Sequence, residues 1–202
     1  PQTLSFEQAA ALPLGALTTL VALQDLGVVG PDSEVLINGA SGGLGVYGVQ
    51  IARNLGANVT AVAGPNQQAF LKELGASQVV NYQEKPITQL SQTFDVILDL
   101  TDNLRFKHIK HLLTDSGVFI PTDPTKHLTS FVGNLLSAKK TKYLMVEKGD
   151  QEKLTQIARW VDEGKLQPFV DSVYDFADYQ GAFQRLTITG KRGRIVMKVA
   201  DA

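Results

Sequence analysis

A cluster of glycines lies between a short apolar segment and a segment with helical periodicity. Residues 35–56 read VLINGASGGLGVYGVQIARNLG. The apolar, β-branched residues before the glycines are typical of a buried parallel strand, and apolar residues then recur at helical spacing from Leu44 to Leu55. A turn of this kind directs free N–H groups and the positive end of the helix dipole toward an anion. The order therefore predicts the phosphate-binding end of a βαβ unit for a dinucleotide.

The residues of this turn have separate expected roles. Ala40 stands where the pattern G-x-G-x-x-G has its first glycine. Gly42 leaves no Cβ between the backbone and the pyrophosphate, and Gly45 lets the helix pack closely on the strand. A flexible surface loop is the alternative, but strand, turn and helix follow one another in the required order. The predicted cofactor contacts in the turn are Ala40, Ser41, Gly42, Gly43, Leu44 and Gly45.

The elements around the turn alternate between strand and helix. Strands are predicted at 34–38, 58–63, 78–81, 94–100, 117–120 and 141–146, and helices between them at 67–74 and 103–113. The pattern indicates an α/β Rossmann fold, with a doubly wound parallel sheet of about six strands and helices on both faces.

The rest of the chain is predicted to complete one domain. Residues 1–30 form N-terminal helices, the first starting at a Ser5/Gln8 capping box and interrupted at Pro13. Residues 31–147 form the Rossmann core. Residues 148–202 form C-terminal helices at 150–163 and 177–186, an extended segment at 168–174 and a final strand at 193–199.

Composition excludes several function classes. The 202 residues carry a formal net charge of -1, which gives no electrostatic footprint for nucleic acid, and the basic runs 139–142 and 191–194 are expected to be solvated faces. There is no cysteine, and His108, His111 and His127 stand near no other good ligand, so no metal site is predicted. No apolar run approaches the roughly 20 residues that span a bilayer, so we expect no membrane partner and a cytoplasmic location.

Five segments together resemble a known family. They are residues 9–23, 35–53, 74–82, 94–100 and 193–199, the last reading GRIVMKV. In this order they resemble the zinc-independent quinone oxidoreductase branch, the zeta-crystallin-like proteins, of the medium-chain dehydrogenase/reductase superfamily. Members carry an N-terminal catalytic domain, so the resemblance implies that this chain, which starts at Pro1, is the cofactor half of a two-domain enzyme. It also implies that the strand near 142–146 could extend a sheet across a homodimer.

The resemblance implies further site residues. Thr18 matches a threonine near the nicotinamide, Tyr82 a tyrosine near the adenosine phosphate, and Arg194 a basic position that could reach the pyrophosphate. The structural alternatives are a hydroxyl bonded to its own helix, an aromatic ring covering the sheet edge and an exposed arginine.

The remaining predicted cofactor-binding residues lie at the ends of strands. Leu100 and Thr101 end the fourth strand, where adenosine is expected, while Thr122 and Val146 end the fifth and sixth. Ligands bind at this carboxyl edge in open α/β sheets.

The loop after the second strand bears on the choice of cofactor. Residues 60–68 contain no Asp or Glu to bind the ribose hydroxyls of NAD, and a carboxylate there would repel a 2′-phosphate. We therefore expect NADPH rather than NADH, with Gly64 and Asn66 contacting it. The loop itself offers no cation, so Lys72, Lys85 or an unseen partner would have to pair with the phosphate.

The expected function is hydride transfer from NADPH to a quinone or another conjugated carbonyl, with little or no turnover by this chain alone. No acid or base can be assigned within it. The glycines also fit the short-chain dehydrogenase pattern, but no tyrosine here is followed four residues later by the lysine those enzymes need. A zinc-type alcohol dehydrogenase, an enoyl reductase and a non-catalytic NADPH sensor remain as alternatives.

Overall fold

One parallel sheet forms the centre of the molecule. The structure, a computed structural model, describes residues 1, 3–123, 138–144 and 149–199. Within these ranges the sheet has six strands in the order β3-β2-β1-β4-β5-β6, all paired in parallel. This order is that of dinucleotide-binding Rossmann domains and confirms the predicted fold class. The strands are β1 (Glu34–Asn38), β2 (Asn58–Ala63), β3 (Gln78–Asn81), β4 (Phe94–Asp99), β5 (Leu113–Pro121) and β6 (Lys140–Thr141).

Helices cover both faces of the sheet. Because side chains alternate along a strand, Val35 and Ile37 enter one hydrophobic cluster while Leu36 enters the other. The first cluster also contains residues of the N-terminal and glycine-turn helices, and the second contains Ile109 and Phe119. The helices of the described residues are α1 (Phe6–Leu20), α2 (Gly45–Asn54), α3 (Gln68–Leu74), α4 (Phe106–Ile109), α5 (Gln151–Asp162) and α6 (Tyr179–Thr187).

The first helix is longer than predicted. It begins at the expected capping box, but it does not break at Pro13 and continues from Leu20 as a π-helix over Val21–Leu26. Pro13 and Ala9, whose carbonyl loses its usual donor, both lie on the exposed side, where water can bond that carbonyl. By length and composition alone, the helix Phe6–Leu26 is long and apolar enough to cross a membrane, so the prediction that no apolar run approaches this length is wrong. More than half of its apolar window is buried inside the fold.

The helix predicted at 103–113 is present but shorter than predicted. Only α4 and a 3₁₀ turn over Lys110–Leu112 are helical, and β5 already begins at Leu113, before the predicted strand. The buried carboxylate of Asp99 accepts hydrogen bonds from the N–H groups of Thr101, Asp102 and Leu104, which fixes the start of this segment as a loop. At the sheet edge β6 comprises two residues, and 145–148 lie outside the described ranges.

A small C-terminal unit completes the described structure. It consists of α6 and a second sheet in which β7 (Val170–Asp175) pairs in parallel with β8 (Arg194–Lys198). Asp171 links its parts: the carboxylate accepts two hydrogen bonds of 2.8 Å from the Arg185 guanidinium and one of 2.8 Å from the N–H of Arg192. Burial would raise the pKa of Asp171, but these hydrogen bonds outweigh it and hold the pKa below its ordinary value.

We expect Asp171→Asn to destabilise the fold by about 2 kcal/mol at pH 7, because Arg185 loses a partner whose side chain is 5% exposed. The lowered pKa means that Asp171 stabilises fully above its unfolded-state pKa of about 3.9, and that this contribution is lost as the pH falls through the folded-state value. Urea unfolding at pH 7 and pH 3 should therefore show a difference between variant and parent that shrinks in acid. Asp162→Asn, at an exposed carboxylate, is the control, and equal stability of Asp171→Asn and parent at pH 7 would contradict the expectation.

Candidate functional site

A groove of about 1350 Å³ opens at the carboxyl ends of the central strands. One side is formed by the turn after β1 and the loop after β2, and the floor by residues that follow β4. Residues 189–192, which precede β8, also line the groove and contact the loop after β2. The groove lies where the strand order reverses between β1 and β4, the position at which open α/β sheets bind ligands.

Hydrogen bonds and close backbone contacts fix the glycine turn, while the space next to Gly42 is open. The N–H groups of Gly39 and Ala40 both donate to the carbonyl of Val62 at 3.0 Å. A Cβ on Gly45 would lie 2.2 Å from the carbonyl oxygen of Gly39, whereas a Cβ on Gly42 would meet only that oxygen, at 3.4 Å. Only glycine therefore fits at position 45, and the space before Gly42 is free for a ligand.

The start of α2 offers unused donors. Gly42 pairs with Gly193 in an isolated parallel bridge, whereas among the described residues the N–H groups of Ser41 and Leu44 donate no hydrogen bond, and no side chain caps the helix. These groups, together with the positive end of the helix dipole, form a site for an anion such as a pyrophosphate.

A network of polar side chains shapes the middle of the groove. The amide nitrogen of Asn38, the last residue of β1, lies within 2.9 Å of side-chain oxygens of Asp99, Thr101 and Asn103. Asp99 is fully buried, and its Oδ1 also accepts from the Thr101 hydroxyl at 2.9 Å. The network joins the ends of two neighbouring strands and fixes the loop that carries Leu100 and Thr101.

The loop after β2 contacts a distant part of the chain. Asn66 adopts a left-handed conformation (φ 62°), and Gln67 is only 4% exposed. The Arg192 guanidinium donates to Gln67 Oε1 at 2.8 Å and to the carbonyl of Asn66 at 2.9 Å. A positive charge thus lies at a loop that carries no acid of its own.

Arg194 lies behind the turn, next to α2. A Cβ on Gly43 would lie 3.0 Å from Arg194 Cδ, and Nε and Nη2 of Arg194 are buried with no hydrogen-bond partner among the described residues. Burial lowers the pKa of Arg194. Burial also raises the pKa of the neighbouring Tyr47 to about 12, and the Tyr47 hydroxyl donates to the carbonyl of Ala11 at 2.9 Å. Tyr47 therefore stays protonated at neutral pH.

The predicted site residues fall into several groups. Gly43, Leu44 and Arg194 line a smaller neighbouring pocket of about 270 Å³, while Ala40 and Gly45 are buried behind the turn. Those that line the large groove are Ser41, Gly42, Gly64, Asn66, Tyr82, Leu100 and Thr101.

Three predicted residues lie away from the groove or outside the described ranges. Thr18 and Thr122 do not line it, and Val146 is not described. Thr18 is 5% exposed, and its hydroxyl has no partner among the described residues, so the alternative of a bond to its own helix is wrong. Thr19 makes that bond instead, to the carbonyls of Gly15 and Ala16.

Sequence reasoning missed several groove residues. Lys191 and Arg192 belong to the basic run expected to be solvated. Their positive charge is the one feature of the sequence that could have indicated an anion-binding site. Asn38 could have been found as a polar residue ending a buried strand. Gln67 and Asn103 carry no sequence signal of their own.

The described residues contain no group of three or more His, Cys, Asp or Glu side chains that could hold a metal ion. His108 and His111 are exposed, and His127 lies outside the described ranges.

Comparison with known proteins places the chain in a family. Residues 74–197 match the family model described as zinc-binding dehydrogenase. The chain belongs to this family. It is 28% identical over 98% of its length to a chloroplast envelope quinone oxidoreductase homolog of Arabidopsis thaliana and spans 64% of that protein.

Solved structures agree with this assignment. The quinone oxidoreductase from Coxiella burnetii superposes with a TM-score of 0.87 at 28% identity, over 99% of this chain and 63% of that one. The quinone oxidoreductase from Thermus thermophilus, solved also in complex with NADPH, gives 0.80 at 26% identity, over 98% of this chain and 68% of that one. The resemblance to quinone oxidoreductases of the medium-chain superfamily is confirmed, and the chain spans about two thirds of such proteins.

We expect Gly45→Ala to lower the free energy of unfolding by about 2 kcal/mol or more, although alanine favours helices, because its Cβ would overlap backbone atoms of Gly39 and Ala40. Gly30→Ala is the matched control, since a Cβ there meets nothing within 4 Å. Urea unfolding measures both variants. The close packing would be refuted by a Gly45→Ala variant as stable as Gly30→Ala.

Proposed function

We propose that this chain is the NADPH-binding part of a zinc-independent reductase that transfers hydride to quinones or other conjugated carbonyls. The observation that carries the proposal is the groove at the glycine turn, where Ser41, whose N–H donates no hydrogen bond among the described residues, lies next to the open space in front of Gly42. The relatives named as quinone oxidoreductases support the substrate class.

The residues of the groove fit the parts of a dinucleotide. Phosphates would bind at the start of α2, the strand-end loop at Leu100 and Thr101 would hold the adenosine, and Tyr82, 45% exposed, would cover the outer end of the groove. When bound, the reduced nicotinamide supplies the hydride. This chain contributes binding and orientation, and no described side chain is assigned as acid or base.

The preference for NADPH is supported by the loop after β2. Residues 60–68 carry no carboxylate that would repel a 2′-phosphate, and Arg192 brings a cation to Asn66 and Gln67. The Thermus relative forms a complex with NADPH.

A zinc-dependent alcohol dehydrogenase is the second candidate, and the description of the matching family favours it. Catalytic zinc needs three protein ligands, and no such group occurs in the described part of this chain. Metal analysis of the whole protein, together with assays on quinones and on alcohols, separates the two candidates.

We expect saturable binding of NADPH to the chain by titration calorimetry, and absence of binding would overturn the proposal. Gly42→Ala should raise the dissociation constant about tenfold or more, because a Cβ would stand between the backbone and the pyrophosphate. Its melting temperature should match that of Gly30→Ala, since the new Cβ has only one ordinary contact. If Gly42→Ala binds NADPH as tightly as the parent, the phosphates do not lie at this turn.

A further inference from the structure

Arg192 reaches the groove from the C-terminal unit, far along the chain from the loop it contacts. Its Nε donates to Gln67 Oε1 at 2.8 Å, its Nη2 donates to the carbonyl of Asn66 at 2.9 Å, and its Cζ lies 4.9 Å from the centre of the Phe70 ring. Cation–π stacking and two hydrogen bonds hold the planar group in one orientation. The guanidinium is therefore positioned in advance beside the loop after β2.

The backbone around Arg192 is fixed as well. Its N–H donates to the Asp171 carboxylate at 2.8 Å, and the next residue, Gly193, donates to the carbonyl of Ser41 at 3.0 Å. A Cβ on Gly193 would lie 2.1 Å from the carbonyl oxygen of Phe169, and its φ of 93° also favours glycine. The segment that carries Arg192 is thus joined to the glycine turn on one side and to β7 on the other.

Within the described part of the chain, the charge of Arg192 has no anionic partner. Its side-chain hydrogen bonds go to two neutral oxygens, and no carboxylate pairs with its guanidinium among the described residues. These two bonds use two of the five N–H donors of a guanidinium, and Arg192 lines the groove. Arginine with free donors in a planar fork is well suited to a phosphate.

Other cations are less suitable. Lys191 also lines the groove, but its ammonium donates to the carbonyls of Leu186 and Ile188 at the end of α6. Lys72 donates to the carbonyl of Ser77 and, like Lys85, is not a lining residue. Arg192 is therefore better placed than Lys72 or Lys85 to pair with a phosphate in the groove.

We propose that Arg192 binds the 2′-phosphate of NADPH and so determines the preference of this site for NADPH over NADH. The proposal rests on the proposed function, since it presumes that a dinucleotide occupies the groove. The phosphate would bind beside Asn66 and Gln67, at the loop where Rossmann domains distinguish the two cofactors. The positive charge that selects NADPH would thus come from the segment before β8 and not from the loop after β2.

Calorimetric titration of the 202-residue chain with NADPH and separately with NADH tests this assignment. Arg192→Gln keeps a polar side chain and removes the charge, so the dissociation constant for NADPH should rise roughly ten- to a hundredfold. The constant for NADH should stay within about twofold, because NADH has no 2′-phosphate. Arg192→Lys keeps the charge without the fork and should fall between the two. Lys85→Gln, which also removes one positive charge, is the control and should leave both constants unchanged.

The two cofactors separate the possible outcomes. If Arg192→Gln weakens NADPH and NADH equally, Arg192 only supports the loop, and the assignment is wrong. A parent chain that binds both cofactors equally well overturns the assignment but leaves the proposed function standing. A parent chain that binds neither overturns both.

Discussion

The close packing of α2 against the turn that precedes it determines the geometry of the site. A Cβ on Gly45 would overlap the backbone of Gly39 and Ala40, so the helix can begin at this distance only with glycine. The N–H groups of Gly39 and Ala40 are bonded to Val62 on β2, which ties the same turn to the neighbouring strand. With both ends of the turn fixed, the N–H groups of Ser41 and Leu44 are held in place before α2 without any side chain to cap them. The anion site is therefore a property of the backbone, which explains why its side chains can be as small as Ser41 and Gly42.

The remaining groove depends on how the other strand ends are held beside this turn. Asn38 lies near three side-chain oxygens, and Asp99 receives the N–H groups of the loop that follows it. Both residues are buried, where unpaired polar groups would cost free energy, so the loop after β4 has one favourable arrangement. The same constraint that shapes the groove also prevents the segment after β4 from becoming a helix at once. The hydrogen bonds of Asn38 and Asp99 therefore influence both the shape of the groove and the secondary structure after β4.

Local sequence was sufficient for most of the fold and for the turn, but not for contacts between distant segments. Strand and helix periodicity, the capping box at Ser5 and the left-handed stop at Gly75 all act within a few residues, so they can be predicted from the chain itself. Pro13 was misjudged because its cost depends on whether water reaches the carbonyl of Ala9, which is a tertiary property. The start of the helix predicted at 103 was misjudged because Asp99, outside that segment, accepts the N–H groups of the loop at 101–104. Of the site residues, Thr18 illustrates the limit most clearly: burial is predictable from helical spacing, yet its neighbour Thr19 takes the carbonyl partners.

The C-terminal unit shows why a basic run could not be interpreted from sequence alone. In the run 191–194, one lysine holds the end of α6, one arginine reaches the loop after β2, and one arginine is buried behind Gly43. These three environments follow from the pairing of β8 with β7 and from the bond between Gly193 and Ser41, neither of which has a local signal. Because Asp171 binds both Arg185 and the backbone of Arg192, the stability of this unit and the position of the groove cation are coupled. A change that loosens the unit should therefore affect the groove wall before it affects the central sheet, whose strands pair without it.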